Sequence, residues 1–193
     1  MIKESLCDEL SDEQLVAYSI QDMDYFLYLY QRYEPRLLRY IKRITQVSTP
    51  QAEDILQDAF IKVWQNLKGF DQNLKLSSWI YRIVHNETIS YWRKKQSLHR
   101  NRKVILDENY PYEDTEELSN VTESDRKEQD MYKVLEQLPV PYKTVLWFKY
   151  IEEMSYREIS DILKIPEGTV ATRIYRAKKH FLQLAQDYDI DFN

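Results

Sequence analysis

Glycine is nearly absent: the 193 residues hold two, Gly69 and Gly168. Hairpins and tight turns need more positions that accept unusual backbone angles, so this scarcity argues against extensive β-structure and for a helical chain. Cysteine is scarcer still. Cys7 has no partner with which to form an internal disulfide, which fits a reducing compartment. No apolar run is long or uncharged enough to span a bilayer. The leading MIKESLCDEL carries acids where a secretory signal would carry an apolar core, so a cytoplasmic protein without membrane insertion is expected. There is no Gly-rich phosphate loop, nucleophile elbow or Cys/His cluster. His85, His99 and His180 are scattered without metal-ligand spacing. No catalytic residue, metal or cofactor is assigned, and an enzyme is not expected.

What the chain does contain is segregated charge. Hydrophobic content of 43% with 31% charged residues is ordinary for a globular protein, and the net charge is −5. From Asp107 to Asp130 ten acids face only Arg126 and Lys127, a local −8 that leaves +3 for the remainder. Between Arg82 and Lys103 seven cations accompany a single acid, Glu87. Local sign, not the total, decides where a polyanion binds. The acidic stretch also carries Pro, Ser, Asn and Thr with few aliphatics, the composition of an extended or disordered linker. It divides the chain into residues 10–103, a linker over 104–127, and residues 128–187. The expected fold is all-α: two small helical domains joined by an acidic flexible linker.

Apolar periodicity places the helices. In the first domain they are Leu15 to Ile20 behind the Ser11-Asp12-Glu13 cap signal, Tyr25 to Ile44, and Gln51 to Leu67 behind Thr49-Pro50. The third carries a stripe of Ile55, Leu56, Phe60, Val63, Trp64 and Leu67, and Gly69 ends it. A polar loop, Asp71 to Ser78, leads into Trp79 to Lys95, with Ile80, Ile83, Val84 and Ile89 inward. In the second domain Glu128 to Leu138 and Tyr142 to Ile151 precede Ser155 to Ile165, where Ile159, Ile162 and Leu163 mark a short amphipathic helix. Pro166 and Gly168 should break that helix, and another should start near Thr169. This last helix puts Val170, Ile174 and Ala177 inward and projects Arg173, Arg176, Lys178 and Lys179. Two short helices so joined let the second lie in a DNA major groove, with cations on phosphates and Thr172 and Arg176 of the right type for base edges. The competing reading is a helical hairpin with a solvated basic face.

Two further constellations stand in the first domain. Glu53, Asp54, Gln57 and Asp58 form an acidic face beside an apolar edge, which reads either as a solvated face or as a docking face for a basic helical partner. Phe70 to Lys95, FDQNLKLSSWIYRIVHNETISYWRKK, interleaves aromatics, amides and cations. That mixture suits single-stranded nucleic acid, whose unstacked bases need aromatic or apolar clefts and amides, and whose backbone needs cations such as Arg93, Lys94 and Lys95. Arg82 and Asn86 are four apart and share a face. Asn86 is either a base reader or a surface amide, and Trp79 either a core residue or part of that surface.

In order and spacing, AEDILQDAFIKVWQNLKGF (Ala52 to Phe70), SSWIYRIVHN (Ser77 to Asn86) and SYREISDILKIPEGTVATRIYRAKKHF (Ser155 to Phe181) resemble the extracytoplasmic-function (ECF) group of sigma-70-family factors. The resemblance covers about residues 10 to 187. It implies two helical domains that bind core RNA polymerase and read promoter DNA in two places. The helix matching Gln51 to Leu67 would dock on the clamp helices of the largest polymerase subunit through Asp54, Gln57 and Asp58. The segment matching Asp71 to Lys95 would hold the melted −10 element with one base flipped out, using Phe70, Ser78, Arg82 and Asn86. The helix matching Thr169 to Lys179 would read the −35 duplex through Thr172, Tyr175 and Arg176, with Thr169, Arg173, Lys178 and Lys179 beside them. An anti-sigma factor, often membrane-anchored in this family, is an expected partner. The acidic linker would either mimic nucleic acid in the RNA exit path or act as a spacer. Three positions depart from the pattern: Ala171 where a cation is common, Lys164 where glycine precedes the turn, and Gln21-Asp22 in place of Gly-Asp. The alternatives are an autonomous helix-turn-helix regulator with an N-terminal sensor or dimerisation domain, and an adaptor or anti-sigma protein that only mimics a sigma factor.

Overall fold

The computed structural model describes residues 10–71, 74–101, 123–188 and 190. These are helical, with no strand among the described residues. The chain forms two compact units, Met1–Lys103 and Val104–Asn193. Most of the expected linker lies outside the described residues; its end does not, because a helix already begins at Glu123.

The first unit starts with α1 (Asp12–Gln21), opened by a capping box in which Ser11 and Gln14 satisfy each other's backbone N–H. It buries Leu15, Val16 and Ser19 against α2 (Met23–Thr45). Asp12 ties the two helices together by accepting from Arg32, at 2.9 Å, and from the Tyr33 hydroxyl. Along α2 the residues Leu29, Tyr33, Leu37, Tyr40, Ile41 and Ile44 recur at helical spacing and are buried. Pro35 sits mid-helix on the exposed side. Then α3 (Thr49–Asn66) begins with Pro50 in its first turn and a Ser48/Gln51 capping box. Its stripe is buried except for Trp64, which stays 37% exposed. A 3₁₀ turn, Leu67–Gly69, closes it. Helix α4 (Leu76–Asn101) starts three residues ahead of the expected Trp79 and buries Leu76, Ile80, Tyr81 and Val84 against α2 and α3. Ile83 and Ile89 are only half-buried.

The second unit packs four helices around Trp147 and Phe148. Helix α5 (Glu123–Gln137) leads to α6 (Val140–Leu146), which widens into a π-helical turn, Trp147–Ile151. The Trp147 indole N–H donates to Glu152 at 3.0 Å, and the Glu152 N–H reaches back to the Trp147 carbonyl. Helix α7 (Tyr156–Leu163) is capped by a Ser155/Glu158 box. Helix α8 (Glu167–Asp187) buries Val170, Ile174, Ala177 and Ala185. It begins directly after Pro166, not at Thr169: the Thr169 and Val170 N–H groups already donate to the Pro166 carbonyl. Gly168 therefore lies in its first turn, and the break falls ahead of it, between Lys164 and Pro166.

Neither glycine has positive φ; Gln46, Glu153 and Lys164 do, at 51° to 53°. Lys164 ends α7 in the left-handed conformation that glycine favours, so the expected turn forms despite the substitution. The Ser160 hydroxyl, donating to the Ile165 carbonyl at 2.6 Å, braces it.

Candidate nucleic-acid and partner interfaces

Three surfaces collect the candidate residues. The first is a cleft of about 480 Å³ where the end of α3 meets the first turns of α4. Arg82, Ile83 and Asn86 line it from α4, Trp79 closes one side, and Gln65, Asn66 and Gly69 line the other. Phe70 is half-buried behind it, its ring 5.0 Å from that of Trp79. The geometry joins an aromatic wall, three amides and a guanidinium. Trp79 belongs to this surface as well as to the packing beneath it. Arg93, Lys94 and Lys95 follow two or more helical turns further along α4, about 10 Å beyond Asn86. Ser78 stands apart. It is buried, its hydroxyl has no hydrogen-bond partner, and it does not line the cleft. Gln65 and Asn66 gave no signal in the sequence, since only the apposition of two helices brings them here. The Asn66 amide N–H is held by the Lys62 carbonyl at 2.8 Å.

His85 adjoins Asn86 in sequence but faces inward, with Nδ1 2.6 Å from the Tyr40 hydroxyl. Burial, helped by the charge of Arg93, pushes its pKa down to about 4, so at neutral pH it is an uncharged bridge between α2 and α4.

The second surface is a cleft of about 560 Å³ between α2 and α3. Asp54 and Gln57 line it, together with Glu34, Glu53 and an aromatic floor that the sequence reading did not foresee. Phe26 lies 4.9 Å from Trp64, and Tyr30 packs edge-on to Phe60 at 4.8 Å. The Tyr30 hydroxyl donates to Glu34 at 2.8 Å; burial, that bond and the nearby carboxylates raise its pKa to about 12. Asp58 is exposed on α3 but outside the cleft. Ile61 and Met23 add exposed apolar edge. An apolar groove with a carboxylate rim accepts an amphipathic helix bearing cations.

The third surface is the outer side of α8. Thr169, Thr172, Tyr175, Arg176, Lys178 and Lys179 are exposed there, Tyr175 to 72%, while Arg173 is half-buried at the flank. The Thr172 hydroxyl donates to the Gly168 carbonyl at 2.9 Å, which leaves its oxygen free to accept. Ala171 is half-buried on the opposite flank. Among the described residues, no group of three or more His, Cys, Asp or Glu side chains is placed to hold a metal ion. No described helix is long and apolar enough to cross a membrane.

A helical unit with a polar cleft, followed by a unit built on a helix-turn-helix, defines a two-part helical nucleic-acid-binding architecture. Sigma-70 region 2 matches residues 29–98 and sigma-70 region 4 matches residues 128–181. The ECF RNA polymerase sigma factor SigW of Bacillus subtilis is 34% identical over 181 residues, covering 86% of this chain and 91% of SigW. The ECF RNA polymerase sigma-E factor of Haemophilus influenzae is 26% identical, covering 90% of this chain and 95% of its own. Among solved structures, CnrH in complex with the cytosolic domain of CnrY superposes with a TM-score of 0.63 at 21% identity, over 90% of this chain and 96% of that one. RpoE of Bartonella quintana, bound to the anti-sigma factor NepR, also gives 0.63 at 21% identity, over 83% and 96%. The chain belongs to the sigma-70 family, in its ECF group.

Proposed function

We propose that this protein is the promoter-specificity subunit of a bacterial RNA polymerase, acting in the cytoplasm and supplying no catalytic group of its own. The observation that carries the residue-level reading is the placement of Arg82 and Asn86 on one wall of an open cleft, with Trp79 beside them. An unstacked base entering there finds an aromatic face and hydrogen-bonding groups for its edge, an arrangement worth about 1–3 kcal/mol per base. Phe70 supports Trp79 from behind, and Arg93, Lys94 and Lys95 neutralise the backbone of the same strand. Ser78, buried and outside the cleft, is not among the groups that would reach the base. The −35 duplex is read by α8, with Thr172, Tyr175 and Arg176 toward the bases and Thr169, Arg173, Lys178 and Lys179 toward phosphates.

Core polymerase docks on the α2–α3 cleft, where Asp54 and Gln57 meet a cationic helix and Asp58 adds negative charge from outside the cleft, one turn further along α3. An anti-sigma factor that covered this cleft would hold the protein inactive. The division of labour between residues 10–103 and 128–187, joined by an acidic connector, lets one chain grip the polymerase and both promoter elements.

Run-off transcription from a promoter library, with core polymerase alone and with the protein added, tests the reading. Start sites that appear only with the protein are expected. A footprint on duplex DNA without polymerase, and no new starts, would instead make the chain an autonomous regulator. Paired reversal, Asp54→Arg with Asp58→Arg, should weaken core binding by about tenfold or more, as close charge pairs at interfaces do. Normal holoenzyme assembly would remove the docking assignment.

A further inference from the structure

The π-helical turn Trp147–Ile151 places one large aromatic side chain where no role has been assigned to it. Tyr150 is 50% exposed although its neighbours Trp147 and Phe148 are buried. The Lys178 ammonium of α8 lies over the Tyr150 ring, 5.3 Å from its centre. Lys178 itself follows the buried Ala177 by one residue and Ile174 by four, and the exposed Tyr175 by three. It therefore stands on the flank of α8, between the packed stripe and the outward row. From a flank, a side chain of a major-groove helix meets the sugar–phosphate wall, not the bases.

An unrestrained lysine at such a position gives up rotamer freedom when it takes a phosphate. The Tyr150 ring holds the ammonium in advance through its electron-rich face and shields one side of it from water. The support is rigid because the turn is fastened from within. Trp147 donates to Glu152, Lys149 donates to the Met154 carbonyl at 3.3 Å, and the Met154 N–H donates to the Phe148 carbonyl at 2.9 Å. Tyr150 is thus delivered by an element outside the helix-turn-helix to a cation inside it.

We propose that Tyr150 is a positioning residue for duplex binding: it pre-orders Lys178 for a phosphate beside the −35 element. The inference rests on the assignment of α8 as the duplex reader. The test uses holoenzyme assembled from core polymerase and the full-length protein, titrated onto a duplex promoter fragment across a range of salt. Tyr150→Leu should weaken binding about two- to fivefold, the range of an exposed cation–π pair. Tyr150→Phe keeps the ring and should bind like the unaltered protein. Lys178→Gln should flatten the salt dependence by about 0.9 in log–log slope, one phosphate's worth. Adding Tyr150→Leu to Lys178→Gln should then cost nothing more. An undiminished second loss in the Lys178→Gln background would overturn the proposal, as would a Tyr150→Phe defect equal to that of Tyr150→Leu. If unaltered holoenzyme bound promoter and Tyr150→Leu matched it, only the Tyr150 assignment would fall. If the unaltered protein gave polymerase no promoter binding at all, the duplex-reading assignment would fall first. Thermal unfolding of each variant separates loss of fold from loss of positioning.

Discussion

The two candidate nucleic-acid surfaces have opposite curvature. In the first unit the surface is a concave cleft at the seam of α3 and α4, lined by Trp79, Arg82 and Asn86 from one helix and Gln65 and Asn66 from the other. In the second it is the convex outer face of the single helix α8. Under the proposed assignment each curvature suits its ligand. An unstacked base must be surrounded to replace its lost stacking, whereas an intact major groove must be entered. The burial of charge differs as well. The first unit turns a half-buried His85 inward beside Tyr40, and the second buries Lys143, only 3% exposed and donating to the Glu136 carbonyl at 2.9 Å.

The contrast can be broken most forcefully in the core. Trp147→Ala removes the largest fully buried side chain of the second unit and its bond to Glu152. It should cost about 3–5 kcal/mol. Amide exchange should accelerate at Val145 and Ile174 while Leu37 and Ile80 stay protected. Loss of protection in both units would mean that they fold as one.

These two bases come next. His85 has a folded pKa near 4 against an ordinary value of 6.5, so the unfolded chain binds the extra proton between those limits. The first unit should therefore lose about 3 kcal/mol as pH falls from 6.5 to 4, and His85→Gln should flatten that slope. Lys143 is pushed down to about 8, chiefly by burial, against the counter-pull of Glu136. Its folded pKa also lies below the unfolded one, so the second unit should gain stability as pH rises from about 8 towards 10.5. Denaturant midpoints measured across both windows check the two signs.

A functional crossing follows. Asn86→Ala should weaken promoter opening by about 1–3 kcal/mol, followed by reactivity of unpaired thymines, and leave closed-duplex binding intact. Arg176→Ala should weaken duplex binding by a similar amount on closed templates. Equal losses in both assays would erase the division between the surfaces. The smallest effect concerns the turn after α7. Lys164→Gly relieves a left-handed non-glycine residue and should raise the second unit's stability by about 0.5–1 kcal/mol, visible as a later urea midpoint.

How much of this was legible in the residues differs between the surfaces in the same way. The outward row of α8 is a matter of one helix's periodicity, so Arg176, Lys178 and Lys179 could be placed without knowing any neighbour, while Tyr175 entered only through the family resemblance. Arg82 and Asn86 could be put on one face for the same reason. Gln65 and Asn66 could not, because nothing local says that the end of α3 lies against the start of α4. The aromatic floor under Asp54, built from Phe26, Tyr30, Phe60 and Trp64, was hidden likewise. Half of it lies on α2, where an aromatic at helical spacing reads as ordinary core. Gly168 was misleading for a different reason: the preceding proline outweighs it, and a glycine in a helix's first turn interrupts no established hydrogen bond.

By itself the sequence determined what depends on neighbours along the chain: helical content, capping boxes at Ser11, Ser48 and Ser155, the segregation of charge, and the helix-turn-helix with its exposed row. Those features need only bonds and side chains a few residues apart. Only the tertiary structure decided which helix ends meet, and hence both clefts, the inward turn of His85, the burial of Ser78 and Lys143, and the meeting of Tyr150 with Lys178. Each of these depends on side chains from separate elements, whose distance is set by the packing of whole helix faces and not by their separation in the chain.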